Sequence, residues 1–199
     1  MTRILEYRAA FITVLFGLFG SALSKLLVID EMTWYYTALA SLIGLVVNLL
    51  VAFLLKGRWD RGMKNYTKIV CILFFLGLII TVFMHTKYYI ECTFSYSGYD
   101  DKLEYYVKGS EYTAVAKRFK QENPHIVSDA DLIREGFGSP LEKDKAWTEE
   151  SINTNKLRLI TSYSLIVIFF VGIISVLLEV LMSHYHKSTT KTLGPVAGH

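Results

Sequence analysis

Apolar residues gather into four long blocks, at 9–29, 34–55, 69–85 and 157–183, with polar stretches between them. Each block approaches the ~20 residues that a helix needs to cross a bilayer. Lys25, Glu179 and, at the start of the fourth, Arg158 are the charged residues inside them, and Asn48 is the one strongly polar residue of the second block. The remainder of so short a chain cannot cover four such segments, so lipid is the simplest solvent for them. The pattern predicts a mainly α membrane protein with four transmembrane helices in an antiparallel bundle. The first block is longer than the ~7–15 residue core of a cleaved signal, so it is expected to stay as a span.

A finer pattern runs inside the blocks. Small and polar residues recur every three or four positions, which keeps them on one helix face. The sets are Gly17, Ser21, Ser24 and Val28, then Thr37, Ser41, Gly44, Asn48 and Ala52. Gly77, Thr81 and His85 follow, and last Thr161, Ser164, Ile168, Gly172, Ser175 and Glu179. Small faces let membrane helices approach closely. Gly17, Ser21, Ser41, Gly44, Gly77, Thr81, Gly172 and Ser175 are therefore expected helix-packing positions. Lys25, Asn48 and Glu179 are the intramembrane polar candidates. Lys25 and Glu179 lie near block ends, where a side chain reaches the interface. Asn48 lies deeper and calls for a hydrogen bond to a neighbouring helix.

Between the third and fourth blocks the periodicity changes. The segment 86–156 is too long for an idle loop and predicts a small α+β extracytoplasmic domain. Tyr88, Ile90, Cys92, Phe94 and Tyr96 alternate with Tyr89, Glu91, Thr93 and Ser95, the period of a strand. Ser97 to Asp101 reads as a turn, and Leu103 to Val107 as the returning strand. Such a hairpin needs a cover. One candidate is a helix capped by Ser110, with Tyr112, Val115, Ala116 and Phe119 on its apolar face, ending at Asn123-Pro124. A second short helix, 129–135, is capped by Ser128 and ended by Gly136 and Gly138. Thr148 before Glu149 and Glu150 is a helix start. No proline or glycine follows until Gly172, so the fourth helix should begin outside the membrane and enter it unbroken, joining domain to bundle.

Charge then orients the picture. The hinge 56–68 holds Lys56, Arg58, Arg61, Lys64 and Lys68 against Asp60 alone. Positive charge beside short connections marks the cytoplasmic side. Arg3, Arg8, Lys187 and Lys191 agree, which places the N-terminus and the tail 184–199 in the cytoplasm. The acidic Asp30-Glu31 and the segment 86–156, with thirteen acidic and ten basic residues, fall outside. The chain's 20% charge, +3 net charge and +0.35 mean hydropathy are thus averages over two environments. The hinge Lys56, Arg58, Arg61 and Lys64 suits anionic lipid headgroups better than nucleic acid.

Candidate chemistry adds little. The five histidines form no metal-ligand spacing, and Asp129, Asp131 and Glu135 lack the glycine and ligand pattern of a calcium loop. No phosphate loop or nucleophile elbow is present. No catalytic, metal or cofactor site is expected. Cys71 reads as a packing residue, and Cys92 as buried in the hairpin. Four spans with a large outer segment before the last are similar to the tetraspanin layout, but Cys-Cys-Gly and paired outer cysteines are missing, so no family is assigned. The expectation is a non-enzymatic multi-pass membrane protein that works by assembly, an accessory or regulatory subunit with the outer domain as partner surface. Its partners would be membrane lipid and either further copies or another membrane or extracytoplasmic protein. The alternative is an oligomeric membrane-perturbing effector or channel of a microbial toxin or defence system, and a small transporter ranks third. Two unpaired cysteines and no outer glycosylation sequon favour a bacterial inner membrane.

Overall fold

A computed structural model describes residues 29–55, 61–97 and 102–192. The protein is mostly helical, and the described residues include three helices long and apolar enough to cross a membrane and a small two-stranded sheet. A 3-10 turn, Asp30–Met32, leads into α1, Thr33–Leu55. Helix α2 is Arg61–Cys92, and strands β1, Thr93–Ser97, and β2, Leu103–Val107, follow it. Three short helices come next: α3, Ala114–Glu122, α4, Asp129–Asp131, and α5, Lys143–Ala146. The last is α6, Glu149–Thr192, 44 residues long. At 1.5 Å per residue it measures about 66 Å. The first apolar block, at 9–29, lies outside the described residues except for Ile29.

The chain divides into two compact units. The sheet-bearing unit takes in Met1–Ala38 and Val82–Tyr163, and the all-helical unit Leu39–Thr81 and Ser164–His199.

In the sheet-bearing unit, β1 and β2 pair antiparallel, with Thr93 opposite Val107 and Ser97 opposite Leu103. One face of this hairpin is covered. Phe94 packs with Ala116, Ile126, Leu132, Ile133, Ala146, Trp147 and Ile152, all buried. Trp147 is the largest fully buried side chain. A second cluster joins Ile29, Met32, Tyr36, Cys92, Val107 and Leu159. The returning strand has the limits that its sequence predicts. The outgoing strand does not: residues 88–92 are helical, and β1 starts only at Thr93. Tyr88, Tyr89 and Cys92 lie three and four positions apart and face one cluster, while Ile90 is exposed. A five-residue window satisfied both periods, and continuity with the preceding helix decided it.

The cover also differs in detail. Thr113, not Ser110, caps α3, its hydroxyl accepting from Ala116 N at 3.2 Å. Tyr112 sits in a short β-bridge with Trp147 rather than on the helix, and Val115 is exposed. Ser128 does cap α4, accepting from Asp131 N at 3.0 Å. That helix widens into a π turn, Leu132–Phe137, closed by Gly138 N donating to Ile133 O at 2.7 Å. Gly138 has φ +80°, the left-handed region that favours glycine. Gly136 lies within this turn because the Phe119 ring occupies the place of a Cβ, 2.9 Å away. Helix α6 starts after Thr148 as predicted, yet the Thr148 hydroxyl has no hydrogen-bond partner. Its backbone holds it instead, Thr148 N donating to Glu111 O at 2.9 Å.

In the all-helical unit, α6 supplies most of the burial. Ile166, Val167, Val171, Val176 and Leu178 are buried. Helices α1 and α2 leave Leu49, Phe53, Ile72 and Phe75 exposed. Only 6% of the most apolar window of the α1 span and 11% of the α2 span are buried, against 39% for α6.

Candidate functional site

Two kinds of polar arrangement stand out, one in each unit. In the all-helical unit, α1 carries Asn48 toward α6, and Ser175 Oγ donates to Asn48 Oδ1 at 3.1 Å. The amide expected to need a partner on a neighbouring helix thus has one. Around it the packing is aromatic against glycine. The Phe74 ring lies over Gly172, and the Phe169 ring over Gly77, where a Cβ would stand 2.8 Å from the ring edge. The two rings meet edge to face at 5.8 Å. Glycine at each site is therefore the recess that admits the opposite helix's phenylalanine. Thr81 is buried and returns its hydroxyl to its own helix, at Gly77 O, 2.8 Å. Gly44 is buried, Ser41 is exposed and Glu179 is half-buried.

The rest of the predicted set lies elsewhere. Gly17, Ser21, Lys25, Lys56 and Arg58 fall outside the described residues. Arg61 and Lys64 belong to the first turn of α2, and their side chains are likewise outside them.

The sheet-bearing unit holds a polar system that the sequence hardly announces. The acidic turn before α1 acts as a clamp. Asp30 Oδ2 accepts from Tyr105 N at 2.8 Å, which satisfies a donor on the edge of β2. Glu31 accepts from Lys143 Nζ and pairs with Lys156 Nζ at 3.7 Å. Burial pulls the Lys143 ammonium below its ordinary pKa, and the Glu31 carboxylate opposes that fall. On the other side, Asp129 accepts from Lys108 Nζ at 2.6 Å and from Tyr112 OH at 2.7 Å. Burial, then the bond to Asp129, raises the Tyr112 phenol above its usual range. Lys108 and Asp129 border an open groove of about 320 Å³ whose walls include Tyr89, Thr93, Ser95 and Tyr105. Tyr106 OH donates to Glu104 at 2.5 Å, and that bond, more than burial, pushes its pKa up to about 12.

The stretch after β2 is seated on α6. Asn155 Nδ2 donates to Lys108 O at 2.9 Å, and Gly109 lies against Trp147 and Ser151 with no room for a Cβ. Cys92 is a buried free thiol and Cys71 a half-buried one.

Deeper in the same unit, His85 of α2 is buried beside Ser162 of α6, Nδ1 to Oγ 2.7 Å. Tyr36 of α1 stacks on Tyr163 of α6 at 4.3 Å, and the His85 ring lies 6.2 Å from the Tyr163 ring. The small-residue spacing of α2 includes His85, but nothing in that spacing points to Ser162, 77 residues away. Among the described residues no group of three or more His, Cys, Asp or Glu side chains is arranged to hold a metal ion. No protein-family model, curated protein or solved structure matches the chain.

Proposed function

We propose that this chain is a non-enzymatic multi-pass membrane protein that works by assembly, as an accessory or regulatory subunit. Four spans, with both termini in the cytoplasm of a bacterial inner membrane, carry a domain whose outer surface meets the partner. The observation that supports this reading is the contrast in covering. The apolar faces of α1 and α2 are left bare, while the sheet-bearing unit closes its own core around Trp147. Bare apolar helices suit acyl chains, and a domain with a closed core suits presentation to a partner. Val127 and Leu141, each 83% exposed, are the apolar side chains such a partner would cover first. The Ser175–Asn48 bond supports a packing role for Asn48 rather than a pore-lining one.

The test is purification of the full chain from membranes in mild detergent, with the mass of the particle measured. A stable oligomer or a stoichiometric partner is expected, lost in the double variant Val127→Asp and Leu141→Asp. A solitary monomer would refute assembly. Ion flux in liposomes that disappears in Asn48→Leu and Glu179→Gln would replace the proposal with the channel reading.

A further inference from the structure

The two edges of the hairpin are finished differently. Tyr105 N donates to Asp30 at 2.8 Å, so Tyr105 turns its backbone away from β1. Lys108 N donates to Cys92 O at 2.9 Å, which continues the same alternation beyond the strands. Bonded and non-bonded positions alternate along an antiparallel pair. Phe94 and Tyr96, opposite Tyr106 and Glu104, therefore spend their N–H and C=O on β2. Ser95, opposite Tyr105, turns both outward. Among the described residues no backbone group pairs with Ser95 on that side. The β2 edge is thus closed by Asp30. The β1 edge is not, and Thr93–Ser97 holds neither charge nor proline, the usual guards of an open edge. Thr93 and Ser95 instead line the groove of about 320 Å³, together with Tyr89 and Ile90 of α2 and Ser128 and Ala130 at α4.

We propose that this groove takes an extended, uncharged segment of a partner protein as a third strand on β1. Backbone bonds to Ser95 hold the segment, and the groove walls select its side chains. Uncharged side chains fit because Lys108 and Asp129, the charges at the groove, already bond each other at 2.6 Å. A second copy of this chain would bring its own α2 and α4 against the same elements, so a free segment fits where a folded edge does not. The proposal names one contact of the assembly put forward above and rests on that reading.

Ser95→Pro tests it, because it removes only an outward N–H, which an edge strand tolerates. The full chain is purified from its membranes in mild detergent. Ser95→Pro should reduce the particle to the mass of a single chain while keeping the near-ultraviolet dichroism of the parent. A variant particle of unchanged mass would overturn the third strand and leave assembly standing. A parent chain that is already a monomer would remove both. Amide exchange serves if Ser95→Pro misfolds. In the parent particle the Ser95 amide should exchange about tenfold more slowly than in chain stripped of its partner by harsher detergent, the effect of one hydrogen bond. The Phe94 amide, bonded to β2, should not change. Equal rates at Ser95 would overturn the proposal. A particle made only of copies of this chain, with Ser95 slowed, would give the edge to a second copy and overturn the partner segment.

Discussion

The two units of this chain are built on different forces. The sheet-bearing unit hides Trp147, Leu132, Ile133 and Phe94 from solvent and adds charged clamps at Glu31 and Asp129. That is how a domain in water gains stability, since burial of apolar area is its main source. The all-helical unit exposes most of its apolar surface on α1 and α2. Its contacts include two phenylalanines set into glycines and a serine–asparagine bond. Such contacts hold helices where the surrounding solvent is itself apolar. A large side chain therefore stabilises the first unit by being present, and the second by being absent at Gly77 and Gly172.

Three substitutions would sharpen or break this contrast. The largest effect belongs to Trp147→Ala, expected to destabilise the sheet-bearing unit by about 3–5 kcal/mol. Near-ultraviolet dichroism should collapse at lower temperature while far-ultraviolet helical signal persists. Simultaneous loss of both signals would mean that the units share one folding transition. Next comes Gly172→Leu, which displaces the Phe74 ring and should cost about 1–3 kcal/mol. Amide exchange should rise in α2 and α6 around residues 74 and 172 with the hairpin unaffected. Equal exchange throughout would remove the glycine recess from the argument. The smallest effect concerns pH. With Tyr106 pushed up to about 12, its contribution is complete below the unfolded tyrosine value near 10 and disappears as pH rises through 12. Ultraviolet titration of the parent chain against Tyr106→Phe should show the missing tyrosine at the high-pH end. A missing step near pH 10 would contradict the bond to Glu104.

How far the sequence carried these conclusions depends on the range of the interaction. Features set by neighbours along the chain were legible. The apolar run of α1, the limits of β2, the Ser128 cap and the start of α6 after Thr148 all rest on residues within a turn of one another. Where one window served two periods, as at 88–92, the sequence pointed to a strand and the adjoining helix prevailed. The sequence pointed to Ser110 as the cap of α3, but Tyr112 is held in a bridge with Trp147 and Thr113 caps the helix instead. Partners distant in sequence were not legible. Asn48 called for some neighbour, but not for Ser175; His85 stood at helical spacing with no sign of Ser162 or Tyr163. The clamp at Glu31 links residues 112 positions apart, and its two acids read only as a topology signal.

The junction at Cys92 and Thr93 has a consequence for how this chain can change. Helix α2 ends at Cys92 and β1 begins at Thr93, with no residue between them. The Thr93 hydroxyl donates back to Tyr89 O at 2.6 Å and ties strand to helix. One inserted residue there would turn every β1 side chain to the opposite face, taking Phe94 out of its core. Deletion of one would do the same. Insertions and deletions should therefore be excluded at this joint in any functional descendant, even where the amino acids on either side vary freely.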